Sequence, residues 1–243
     1  MPSPADTKVR QCTSGYLHGK PVRKASTDSH RLAMKLRGLG LLILLVCVSA
    51  CADEPSKPKA DFCGHWSMGV VAPKYMEAWV ETLEVKDDRG RWVKIPQGVV
   101  SDLGKTTGWD DGPWLGGGAA IDSAGAPMEV YVRWQSLAEP QTYTWHFTVP
   151  DRLRQALVKQ ESVLWQGKTV IECRSDITIG VAPGGHTVVW VGAGAVPRLE
   201  ILRGQAEVEP LGPDQGQHEG RYVRISDEAK KYVEAHGIPY GSW

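Results

Sequence analysis

The chain has 243 residues, with 28 basic and 28 acidic side chains, 42% hydrophobic residues, ten Trp and five Cys. This composition excludes a disordered or collagen-like chain, and the −6 charge left once the basic residues 1–50 are set aside leaves no basic patch of the kind a nucleic-acid binder needs. The length suits one domain with a sizeable core.

Residues 1–33 are polar and basic (Lys8, Arg10, Lys20, Arg23, Lys24, Arg31) and have no apolar period. They are expected to be an extension that is either spurious or disordered. Met34 then stands where a signal peptide should start. Lys35 and Arg37 form a positive n-region, and residues 39–48 form an apolar run of about ten residues, half of the roughly 20 needed to cross a bilayer. The small residues Ser49 and Ala50 complete a secretory signal over residues 34–50. The competing reading of this run is a buried core helix. Cys51, placed directly after the small residues, resembles the last position of the lipobox of bacterial lipoproteins. That resemblance implies acylation of the Cys51 thiol, cleavage before it, and stable membrane anchoring through two or three acyl chains. Ala52 follows, not the Asp of inner-membrane retention, which implies the periplasmic face of the outer membrane.

Without residues 1–50 the chain keeps 193 residues, 20 basic and 26 acidic, for a net charge of −6. Two cysteines besides Cys51 remain. In an oxidising compartment two cysteines most often pair, so a Cys63–Cys173 disulfide is expected; two separate buried thiols are the alternative. Residues 51–61, rich in Pro and charge, read as a tether. Residues 62–243 read as a single β-rich domain.

Within that domain, residues 66–71 form a short candidate strand. Residues 78–86 and 91–95 flank the turn signal Asp87-Asp88-Arg89-Gly90 and predict a hairpin. Residues 101–127 are rich in Gly and Asp and have no period. A loop of this length in a compact domain is functional or disordered. It carries Trp109, Asp110, Asp111 and Trp114, and aromatic rings beside acids suit partner recognition. The alternative is that both rings fold back onto the sheet as plugs.

Residues 128–136 and 142–150 alternate apolar and polar side chains with period two, so each is a half-buried strand. Asp151 is expected to cap a helix over 152–160. Strands follow at 169–173, 176–181, 187–191 and 198–208. A second helix over 227–236 has Ser226 as cap and Gly237 as stop. Short strands at regular spacing with one or two short helices predict a mainly β fold, an antiparallel β-sandwich or curled sheet.

The sequence offers no catalytic signature. Gly-x-Ser-x-Gly is missing, the Gly run at 116–118 lacks a strand-then-helix frame, and His65, His146, His186, His218 and His236 lie far apart. No metal, no cofactor and no catalytic residue is therefore assigned. Glu139 is expected to accept backbone hydrogen bonds in its own turn.

Two stretches, Arg133–Tyr143 and Val181–Gly194, resemble signatures of a family of proteobacterial lipoproteins known only as a domain of unknown function. The shared positions are Trp134, Ser136, Glu139, Tyr143, Pro183, Gly184, Gly185 and Trp190. The likeness covers roughly residues 65–206 and leaves the tail from Pro210 unaccounted for. Relatives of this kind resemble immunity lipoproteins that accompany type VI secretion lipase effectors. The resemblance implies a tethered inhibitor acting by protein–protein binding, with a secreted phospholipase as partner. An envelope lipoprotein that binds a small ligand or assists assembly is the second reading, and an unrecognised hydrolase is the third.

Overall fold

The computed structural model describes residues 63, 65–101, 108–109, 119–121 and 124–243. Cys51 and residues 1–61 lie outside these, as do Asp110, Asp111 and Trp114.

Thirteen strands and two α-helices are described. In chain order they are β1 (Ser67–Val71), β2 (Ala78–Asp87), β3 (Trp92–Lys94), β4 (Val99–Val100), β5 (Ala119–Ala120), β6 (Pro127–Ser136), β7 (Gln141–Thr148), α1 (Asp151–Val158), β8 (Gln160–Trp165), β9 (Lys168–Cys173), β10 (Asp176–Val181), β11 (His186–Gly192), β12 (Leu199–Gln205), β13 (Glu207–Val208) and α2 (Asp227–His236). They form two sheets that share one core. The first runs β12-β11-β10-β1-β5, and the second runs β13-β7-β6-β2-β3 with β4 also on β2. A separate hairpin, β8–β9, stands beside them. The mainly β architecture agrees with the sequence expectation. The pairing is antiparallel except at β1, which runs parallel to β10.

Period two explains the core. Met68 and Val70 of β1, Ile177, Ile179 and Val181 of β10, and Val189 and Val191 of β11 point inward from the first sheet. Val130, Val132 and Trp134 of β6 meet them from the second, with Tyr143, Trp145 and Phe147 of β7. Leu153 and Leu157 of α1 join the same core.

One strand breaks the alternation. Val80 and Leu83 of β2 are both buried, an odd spacing that a regular strand cannot satisfy. A bulge solves this: the register with β6 shifts between Val80 and Thr82, so Glu81 is the extra residue. The bulge aims Glu81 at Arg133 on the outer face of the second sheet.

Two expectations are corrected. Asp151 does not cap α1: it is the first helical residue, Pro150 occupies the cap position, and no side chain caps the helix there. Asp151 pairs with Arg154 instead. The helix stops at Val158, and residues from Gln160 onward form strand β8, because they pair with β9 across the tight turn at Gln166 and Gly167. The second helix forms as expected, with Ser226 Oγ accepting from Ala229 N at 3.2 Å and Gly237 at its end. The Cys63–Cys173 disulfide is present, with Cα atoms 6.1 Å apart.

Candidate partner-binding face

Of the positions that carry the family likeness, Glu139, Tyr143 and Pro183–Gly185 meet at one junction, with Trp134 packed on Tyr143. Pro183–Gly185 form a 3₁₀ turn between β10 and β11, with both glycines at positive φ. A side chain on Gly185 would meet the Tyr143 ring at 2.9 Å, so the turn lies flat on Tyr143. Glu139, at the end of the β6–β7 connection, reaches across to it: its Oε1 accepts from Gly184 N at 2.8 Å. Glu139 thus serves a turn 45 residues away and not its own, which corrects the sequence expectation. Trp134 and Ser136 are buried strand residues of β6, and Trp134 packs on Tyr143 with ring centroids 5.4 Å apart.

The end of the chain closes this junction. Tyr240 OH donates to Glu139 Oε2 at 2.6 Å, and Trp243 Nε1 donates to the Pro183 carbonyl at 3.1 Å. Burial, followed by the hydrogen bond and charge of Glu139, pushes the Tyr240 phenol up to about 12. Burial, and then the Glu139 charge, also raise Tyr143 above the ordinary tyrosine value. Both phenols therefore remain neutral near pH 7, as donors and not as bases or nucleophiles.

The root of the 101–127 loop enters beside this junction. A side chain on Gly108 would come within 2.6 Å of the Ser242 carbonyl oxygen. Trp109 is half-buried and packs edge-on against Trp190, with centroids 5.3 Å apart, on the outer face of the first sheet. Val71 and Val188 complete this small cluster, and the Arg198 guanidinium lies 4.7 Å from the Trp190 ring. Gly180 makes the room: a methyl there would sit 2.8 Å from Trp109 Cη2 and from Trp190 Cζ3. Trp109 therefore takes the fold-back arrangement while keeping part of its surface open. Asp110 and Asp111 follow it directly.

The opposite face is closed by the tail from residue 209, which the sequence likeness did not reach. Arg133, buried at 2% exposure, pairs with Glu81 and with Glu209 Oε2 (2.7 Å) and donates to the Gly212 carbonyl. Glu81 Oε1 also accepts from Gln135 Nε2 and Asp214 N, both at 2.8 Å. Val223 N donates to Gln135 Oε1 and Ser226 N to Glu77 Oε2, each at 2.8 Å. Burial alone would lower the Arg133 pKa, but Glu81 and Glu209 outweigh it and hold the guanidinium firmly charged. The tail from residue 209 is thus strapped over the second sheet by polar side chains, and its sequence shows no apolar period that would have revealed this.

Among the described residues, no group of three His, Cys, Asp or Glu side chains could hold a metal ion, and no helix is long and apolar enough to cross a membrane.

Residues 53–241 match the family described as "Protein of unknown function (DUF2931)", and the chain belongs to that family. The match takes in the tail from Pro210, which corrects the narrower extent read from the sequence. No curated protein and no solved structure matches the chain.

Proposed function

We propose that this DUF2931 chain is a lipid-anchored periplasmic binding protein, most specifically an immunity protein that neutralises a secreted phospholipase by protein–protein binding. The observation that supports it is the built root of the 101–127 loop. Trp109 is held on Trp190 over Gly180, with Gly108 against the chain's last residues. A rigid root lowers the ordering cost of the residues that follow, which favours tight binding. Asp110, Asp111 and Trp114 then supply steering charge and an aromatic anchor. The motif residues Glu139, Tyr143 and Pro183–Gly185 act as scaffold in this reading and carry no chemical step.

Anchoring at Cys51 keeps such an inhibitor at the surface where a phospholipase works, at high effective concentration. The small-ligand reading has one observation of its own, a concavity of about 470 Å³ beside the disulfide, lined by His65, Gln160 and Ile171 among others.

Co-production with a periplasm-directed phospholipase encoded beside the gene tests the proposal. Growth is expected with the native chain and is expected to fail with the Trp109→Ala/Trp114→Ala pair. Growth with the double variant removes the loop from the account, and no protection by the native chain removes the proposal.

A further inference from the structure

The hairpin β8–β9 has two unlike faces. Its register pairs Gln160 with Cys173, Ser162 with Ile171, and Leu164 with Thr169, so these six side chains share one face. None of the six is charged. Leu164 is 76% exposed and Ile171 71%, the two most exposed large apolar side chains described. The other face carries the charges, and its base, from Glu161 and Val163 to Val170 and Glu172, is half-buried against the body. Glu161 pairs with Arg174, and Glu172 Oε2 accepts from Ala195 N at 2.7 Å. At the tip, half-exposed Trp165 pairs with Lys168 across the turn, and both belong to the face opposite Leu164 and Ile171.

The disulfide adds a positional fact. Cys173 lies on the uncharged face, and its bond to Cys63 fixes the entry of the N-terminal segment there. Cys63 stands twelve positions after Cys51. Fully extended they reach at most about 40 Å. A membrane that holds Cys51 therefore lies within the tether's reach of the face that carries Cys173, Leu164 and Ile171.

We infer that the β8–β9 hairpin is a lipid-contact surface. Leu164 and Ile171 enter the boundary between headgroups and acyl chains, and Trp165 and Lys168, on the opposite face of the tip, stay above them at headgroup level, where aromatic and basic side chains collect at membrane interfaces. The inference rests on anchoring at Cys51, which makes even weak insertion effective because the hairpin is tethered. The outcome is a fixed orientation of the domain on the bilayer.

The test uses the full chain, purified from membranes and reconstituted into phosphatidylethanolamine–phosphatidylglycerol vesicles that contain phospholipid brominated near the headgroup. Flotation reads the anchor, and quenching of Trp emission reads the hairpin. The native chain is expected to float and to be quenched. Trp165→Phe should lose most of the quenching. Leu164→Glu/Ile171→Glu should float unchanged but lose the quenching, and Cys51→Ser should lose flotation. Floating without quenching overturns the hairpin and leaves the anchor standing. Quenching at high lipid without stable flotation supports the hairpin and overturns the anchor. Loss of both overturns both. A dimer in sedimentation that the Leu164→Glu/Ile171→Glu pair abolishes, with no quenching of the native chain, assigns the face to a second copy and overturns the inference.

Discussion

Replacing Arg133 with Met separates the charge of the strap network from its packing. The Arg133 side chain is 2% exposed and faces Glu81 and Glu209, themselves 8% and 15% exposed. Met fills similar volume but leaves two nearly buried carboxylates without a cation and the Gly212 carbonyl without its donor. Removing one partner of a buried ion pair costs about 3–5 kcal/mol. With a urea dependence of about 2 kcal/mol/M, the unfolding midpoint should fall by about 2 M. The triple variant Arg133→Met/Glu81→Gln/Glu209→Gln removes the stranded charges and should recover most of the loss, since an apolar replacement of a whole buried network is often close to neutral. The assay is urea unfolding followed by circular dichroism, with Trp fluorescence as a second probe. A loss below about 1 kcal/mol in the single variant, the scale of an exposed pair, would refute the reasoning. So would a triple variant no more stable than the single one.

Four further outcomes are expected. The Asp87 carboxyl, which burial alone would raise, is brought down to about 2 by hydrogen bonds from Arg91, Gly125 and Arg89; because its folded pKa lies below the unfolded 3.8, its stabilisation is present above about pH 4 and lost as pH falls toward 2. The stability gap between the native chain and Asp87→Asn should thus shrink from roughly 2 kcal/mol at pH 6 as the pH drops to 3, read by urea unfolding across that range. Reduction of Cys63–Cys173 should cost about 2–5 kcal/mol, and two free thiols in the unreduced chain that starts at Cys51, counted by mass spectrometry, would contradict the bridge. Gly180→Ala forces apart Trp109, Trp190 and Val188, each within 2.8 Å of the added methyl; it should cost about 1–3 kcal/mol and speed proteolysis within 101–127. Glu139→Ala strands the Gly184 amide and should cost about 1–3 kcal/mol, seen as a lowered Tm.

The sequence made some of this visible and hid the rest for physical reasons. The β6–β7 pair was legible because one face is buried, which imprints strict alternation on residues 128–149. The Glu81 bulge was not, since Glu81 and Thr82 are both polar and the extra residue leaves no gap in hydropathy. Strand β8 is missing from the sequence reading, which gives its first residue Gln160 to the preceding helix and leaves 161–165 unassigned, because only pairing with β9 makes this segment extended. The parallel partnership of β1 with β10 joins residues 109 positions apart, a distance over which periodicity carries no information. The disulfide was legible from cysteine number together with the expected oxidising compartment. The tail was opaque because side chain–backbone hydrogen bonds, and not an apolar stripe, hold it. At the site, Glu139 and the Pro183–Gly185 turn were marked as separate motifs, and their contact, closed by Tyr240, came only from the fold.

The central claim is recognition of a phospholipase through the 101–127 loop. Isothermal titration of the phospholipase encoded beside the gene with the chain cleaved before Cys51 tests it most directly. The account predicts one-to-one binding with loss of lipase activity at equivalence. No heat and undiminished hydrolysis, or no phospholipase encoded there at all, would contradict it.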